Sequence, residues 1–187
     1  MEKRLFYNSY SISIKLGRNV IIMKLILIRH AESIYNEKKL LQGQVDCELS
    51  EKGLKDTKNR SKNFPTDFDI CFCSPLKRTK QTAKILVPYL NVIYDDRLME
   101  RGLGDWENTH NTDEKQFLMH NKIVPPNGET FEEFDKRIID FLEMIKRSYS
   151  DKKILIVTHG GVIYAIHRIF GFKVRTIENL EMVTIEY

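Results

Sequence analysis

Short apolar runs alternating with segments of helical periodicity organise the chain from Lys24 onward. Strand-sized runs lie at 24–28, 69–73, 91–94, 153–158 and 181–186. Between them, apolar residues recur every three or four positions. The longest stripe runs over 129–149 and carries Phe131, Phe134, Ile138, Phe141, Leu142 and Ile145, the pattern of a helix with one buried face. Ser50 is placed to cap a helix through about Asn63, and Ser74 followed by Pro75 to open another through about Pro88. Strands alternating with helices predict an α/β fold with a mainly parallel sheet. The polar stretch 108–128, with Pro125 and Pro126, is expected as a short helix or loop over one end of that sheet.

A chain of 187 residues, 42% of them hydrophobic, can bury one core and has little room for a second full domain. Its formal charge of +4 comes from basic and acidic residues spread along the sequence, so it attracts anions only weakly. No basic run is interleaved with aromatics, and no nucleic-acid partner is expected. Every apolar run is strand-sized, which predicts a soluble, cytoplasmic protein with no membrane partner. Cys47, Cys71 and Cys73 lack metal-ligand spacing and are expected as reduced core or edge thiols. No other cluster has metal-ligand spacing, so no metal is assigned. Residues 1–22 form a polar extension. The alternation Ile12, Ile14, Leu16 before Gly17, Arg18 and Asn19 fits an added strand and turn; a disordered or transit-like segment, or a start at Met23, fits as well.

Three of the apolar runs lead directly into polar residues. Arg29 and His30 follow the first; Ser74, with Arg78 one helical turn on, follows the second; Thr158, His159, Gly160 and Gly161 close the fourth. Open parallel sheets bind ligands beyond the carboxyl ends of their strands, so these segments are expected to converge. Two histidines and two arginines meeting near helix amino termini make a cationic pocket suited to a phosphate dianion. Taken singly each segment says little: a strand-end histidine is usually structural, and paired glycines mark only a tight turn. Their joint occurrence in this order carries the expectation.

The segments RHAES (29–33), SPLKRTKQTA (74–83), LMERGLGDWE (98–107) and VTHGG (157–161) resemble the histidine phosphatase, or phosphoglycerate mutase-like, superfamily. NEKKLLQGQVDCELSEKG (36–53), PPNGETFEEF (125–134) and NLEMVTI (179–185) are similar to it as well, so the resemblance covers 23–187. It implies a three-layer α/β/α sandwich and a metal-independent enzyme in which His30 takes a phosphoryl group. A nucleophilic His30 needs a neutral imidazole with one lone pair free, its other nitrogen donating to a backbone carbonyl. By the same resemblance Arg29, Arg78 and a protonated His159 bind the phosphoryl oxygens. Asn36 and Gly160 are further pocket positions, and Gln42 and Gly43 bring a side chain and a backbone N–H toward the substrate. Glu100 aligns with the general acid that protonates the leaving alkoxide and then deprotonates the attacking water. Outside its motif, Glu100 would read as a solvated residue beside Arg97 and Arg101. Trp106 is expected to pack, and His110, His120 and His167 to be surface or structural.

Members of this family either hydrolyse the phosphohistidine or pass it on. Mutases usually carry a tyrosine three residues after the acid and an Arg-Arg pair in a longer insertion; here Leu103 stands at that position, no such pair follows Arg101, and only Lys115 and Lys122 add positive charge to the short lid. QGQVD and GLGDWE look more like the broad-specificity and α-ribazole phosphatase branches, although Asn108 stands where these usually place glycine. The expected activity is hydrolysis of a small phosphomonoester by a monomer or homodimer without a cofactor. A phosphoglycerate mutase, which would need 2,3-bisphosphoglycerate, and a non-catalytic phosphate-binding regulator are the alternatives. A pure binder has no use for both a nucleophile and an acid.

Overall fold

The computed structural model describes residues 24–173 and 175–186. The extension 1–22, with its expected strand and turn, and the alternative start at Met23 lie outside the described residues. The five apolar runs form strands β1 (Lys24–Arg29), β2 (Ile70–Cys73), β3 (Val92–Tyr94), β4 (Lys153–Thr158) and β5 (Met182–Glu186). Helices α1 (Ile34–Glu37), α2 (Glu51–Ser61), α3 (Lys77–Leu86), α4 (Asp113–His120), α5 (Phe131–Ser148) and α6 (Gly160–Ile169) connect them. The strand order is β3-β2-β4-β1-β5. All neighbours are parallel except β5, which runs antiparallel to β1.

Side chains alternate across a strand, and here both faces are covered. Leu25, Leu27, Ile154 and Ile156 pack with Ile138 and Phe141 of α5 and Ile166 of α6. Ile26, Ile28, Cys71, Cys73, Leu155 and Val157 pack on the other side with Ala83, Leu86 and Val87. Each Leu, Ile, Val or Phe among them, fully withdrawn from water, contributes roughly 1.5–3 kcal/mol. The result is the α/β/α layering expected. All three cysteines are free and buried, and burial pushes the Cys71 thiol up to about 12 and Cys73 well above its ordinary value.

Three helix starts show how local chemistry was resolved. Ser50 caps α2 as expected, its Oγ accepting from Gly53 N at 2.9 Å. The long helix begins two residues later than its apolar stripe suggested, because Thr130 is the N-cap and forms a capping box with Glu133. Glu129 is thereby left outside the helix. The expected Ser74 cap is corrected: α3 starts at Lys77 after Leu76, with no side-chain cap, and the Ser74 hydroxyl turns instead to His159.

The segment after residue 107 forms α4, capped by Thr112, and is tied to 39–41 through backbone bonds. Leu41 N donates to Thr109 O (2.8 Å), Asn108 N to Leu41 O (2.9 Å) and Asn111 N to Lys39 O (2.9 Å). Asn108 has φ +61°, the left-handed conformation that glycine or asparagine adopts most easily. Its Oδ1 also accepts from Tyr35 Oη at 3.0 Å. Among the described residues no helix is long and apolar enough to cross a membrane.

Candidate active site

Because β4 lies between β1 and β2, the carboxyl ends of these three strands are adjacent. His30 N donates to Thr158 O (2.9 Å) and Ser74 N to Val157 O (3.0 Å), so the residues that follow the strands start in register. The His30 and His159 rings meet edge to face with centroids 5.2 Å apart. His30 Nδ1 lies 2.7 Å from the Ala31 carbonyl. A carbonyl only accepts, so this bond puts the proton of the neutral ring on Nδ1 and leaves the lone pair on Nε2. Asn179 Nδ2 donates to His30 O at 2.8 Å, and Thr82 Oγ1 accepts from Ala31 N at 3.1 Å, which fixes the backbone on both sides of the ring.

Two guanidinium groups flank the imidazoles. Arg78 is 1% exposed, a burial that arginine tolerates only with partners. Its Nη1 donates to Val45 O and its Nη2 to Gly43 O, each at 2.8 Å. Arg29 Nη1 donates to Ile177 O at 2.6 Å. These bonds leave Arg29 Nε and Arg78 Nε buried without a partner, and His159 Nδ1 is in the same state while its Nε2 lies 2.8 Å from Ser74 Oγ. Among the described residues only one other buried side-chain nitrogen or oxygen, His167 Nδ1, lacks a partner. Unsatisfied buried polar atoms are costly, and two guanidinium donors beside an imidazole nitrogen that donates once the ring is protonated suit a ligand rich in acceptor oxygens.

The electrostatics follow from this crowding. Burial, then the Arg78 and Arg29 charges, hold His30 well below the usual histidine range, with the Ala31 bond opposing. Burial, Arg78, His30 and Arg29 push His159 down in the same way. Burial also lowers Arg29 and Arg78 themselves, and the nearby Glu100 charge works against that. The Glu100 carboxylate accepts from Arg101 N through Oε1 and from Gly161 N, in the first turn of α6, through Oε2, both at 3.0 Å.

Residues 25–186 match the sequence profile of the histidine phosphatase superfamily (branch 1). The chain belongs to that superfamily. Among curated members, it is 35% identical to the uncharacterized phosphatase PhoE of Bacillus subtilis over 145 residues, covering 75% of this chain and 73% of PhoE. It is 30% identical to a phosphoglycerate mutase of Schizosaccharomyces pombe over 161 residues, 76% of each chain. The α-ribazole phosphatase of Shigella flexneri superimposes with a TM-score of 0.76 at 29% identity, covering 87% of this chain and 90% of that one.

Of the positions that the superfamily resemblance implied, Arg29, His30, Arg78, Glu100 and His159 come together, and Gly160 lies against the Arg29 side chain. Asn36 and Gln42 lie close by, the Ser33 hydroxyl reaching Asn36 Oδ1 at 3.0 Å and Gln42 Oε1 at 2.8 Å. Gly43 contributes its carbonyl to Arg78 and adopts φ +48° with the Glu107 carboxylate packed against its α-carbon. Trp106 is half-buried; His110 and His120 are exposed and His167 is buried.

Ser74, expected both among the converging strand-end residues and as a helix cap, is a partner of His159. Other members of the site have no sequence signal of their own. Asn179, Glu107 and Glu129 sat inside quoted motifs without a role, and Arg137 lay unremarked on the flank of the α5 stripe. Among the described residues, no group of three or more His, Cys, Asp or Glu side chains is arranged to hold a metal ion.

Proposed function

We propose that the protein hydrolyses small phosphomonoesters through a phosphohistidine on His30, within a catalytic unit spanning 23–187. The observation that carries this reading is the trio of buried, unpartnered nitrogens, Arg29 Nε, Arg78 Nε and His159 Nδ1, around a histidine whose Nε2 lone pair is free. A phosphoryl group offers acceptors to all three while its phosphorus faces that lone pair.

In the first step His30 Nε2 forms a bond to phosphorus, the bond from phosphorus to the leaving oxygen breaks, and Glu100 gives that oxygen its proton. In the second, Glu100 as carboxylate takes a proton from water, the water oxygen attacks phosphorus, and the bond to His30 breaks to release phosphate. Arg29 and Arg78 stabilise the charge on the non-bridging oxygens in both steps. Burial first, and then the charges of the two arginines, disfavour a proton on His159. A dianion between them offsets that repulsion, so His159 gains its proton as the substrate binds. The cycle draws on side chains alone and calls for neither metal nor nucleotide.

Hydrolysis is favoured over phosphotransfer by the surroundings of Leu103. Its side chain is buried and its N–H is occupied by Glu107 Oε1 at 3.0 Å, so the position offers no hydroxyl or cation to a substrate carboxylate. The test is turnover in EDTA, measuring phosphate release from a panel of phosphomonoesters beside interconversion of 3- and 2-phosphoglycerate with 2,3-bisphosphoglycerate present. Phosphate release that vanishes in His30→Ala supports the proposal. Dominant interconversion replaces it with a mutase, and release that survives His30→Ala removes the mechanism.

A further inference from the structure

Glu100 sits on an irregular stretch between two short 3-10 turns, Asp96–Leu98 and Gly104–Trp106, so no helix or strand ladder fixes its backbone. Gln44 Nε2 donates to the Glu100 carbonyl at 3.1 Å, and a second side chain holds that carbonyl together with its neighbours. Arg137, on α5, donates from Nη1 to the carbonyls of Arg97 and Met99, each at 2.7 Å, and from Nη2 to the carbonyl of Glu100 itself at 2.9 Å. Its remaining donors pair with Glu129, Nε to Oε1 at 2.6 Å and Nη2 to Oε2 at 2.9 Å. Every one of the five guanidinium N–H groups is engaged, in contrast to Arg29 and Arg78, whose Nε atoms have no partner.

Glu129 closes the arrangement from the other side. Its Oε2 accepts from Gly102 N at 3.0 Å, and its own N–H donates to Gly102 O at 2.9 Å. It can do this because Thr130, not Glu129, starts the helix. The ion pair is largely shielded, with side-chain exposures of 18% and 16%. The stretch 97–102 is therefore held along its length by a pair of residues that have no donor left for a substrate.

We propose that the Arg137–Glu129 pair is the positioning device for Glu100, setting where its carboxyl group meets the leaving oxygen. The inference rests on the assignment of Glu100 as general acid. A lysine at 137 keeps the charge that bears on His159 but brings three donors without the planar fork, so Arg137→Lys separates geometry from charge. Glu129→Gln is the milder variant, removing the ion pair while retaining an acceptor.

The experiment compares kcat and KM of Arg137→Lys, Glu129→Gln, Glu100→Gln and the double variant Glu100→Gln/Arg137→Lys on an alkyl phosphate and on p-nitrophenyl phosphate, whose leaving group needs little protonation. A misplaced acid costs on the order of 10²-fold, and the loss should fall on kcat for the alkyl ester, at least tenfold more than for the nitrophenyl ester, with KM little changed. Adding Arg137→Lys to Glu100→Gln should cost little more. Should Arg137→Lys fail to fold, Glu129→Gln carries the same comparison. Equal losses on both esters in the clamp variants, or additive losses in the double variant, overturn the positioning role while a leaving-group-selective Glu100→Gln keeps the acid. A Glu100→Gln that loses both esters equally removes the acid assignment and the inference with it.

Discussion

Gly161→Ala should yield a protein at least as stable as the parent and much less active. A β-carbon at this position would stand 2.2 Å from Glu100 Oε1 and 3.0 Å from its Cδ. Ordinary contact begins at 3.4 Å, so the carboxylate must retreat by about 1 Å. The atom that gives way is the end of a flexible side chain, not backbone, and residue 161 is helical, where alanine is favoured over glycine by up to about 1 kcal/mol. Displacing a catalytic group by this distance costs about 10²-fold, or about 2.7 kcal/mol of barrier. The assay is kcat on an alkyl phosphate and on p-nitrophenyl phosphate, with a urea melt of the same preparations. Loss concentrated on the alkyl ester, with an unchanged or higher midpoint, is the expected result. Full activity on the alkyl ester, or an equal loss on both, would refute the placement of Glu100 as the acid behind this glycine.

Gly53→Ala makes the opposite case: its β-carbon would stand 2.0 Å from the backbone oxygen of Glu32, which cannot swing away, so the urea midpoint should fall by the equivalent of about 1–3 kcal/mol while the folded fraction keeps its kcat. Inorganic phosphate at roughly a hundred times its dissociation constant should stabilise the protein by about 2.7 kcal/mol and raise Tm by roughly 5–10 °C. The shift should vanish in Arg78→Met, and its persistence there would move the anion site elsewhere. His30 and His159 are held below 6.5 in the folded state, so their contribution is complete above that pH. Below it the unfolded chain takes up protons that the folded pocket refuses, and stability falls by at most about 1.4 kcal/mol per pH unit for each histidine. Urea midpoints between pH 7 and 5 check this, and a midpoint that stays level or rises as the pH falls would contradict it.

Local pattern along the chain was enough to place the strands and most of the helices. Apolar runs of four to six residues became strands because both faces of the sheet are covered, and the α5 stripe became core because its spacing is helical. Ser50 capped its helix where it was read, since capping involves atoms three residues apart. Which residues face one another was set by the packing of the closed sheet. The strand order brings β4 between β1 and β2, and no local pattern separates that order from others when these three strands are apolar on both faces. That insertion seats His159 against His30 and takes the Ser74 hydroxyl away from the helix it precedes. Asn179 reaches the His30 carbonyl across 149 positions, and Arg137 reaches back across 37 to hold the backbone of Glu100. Hydrogen bonds between residues so far apart leave no periodicity in the chain, because their geometry comes into being only when the sheet and its covering helices have closed.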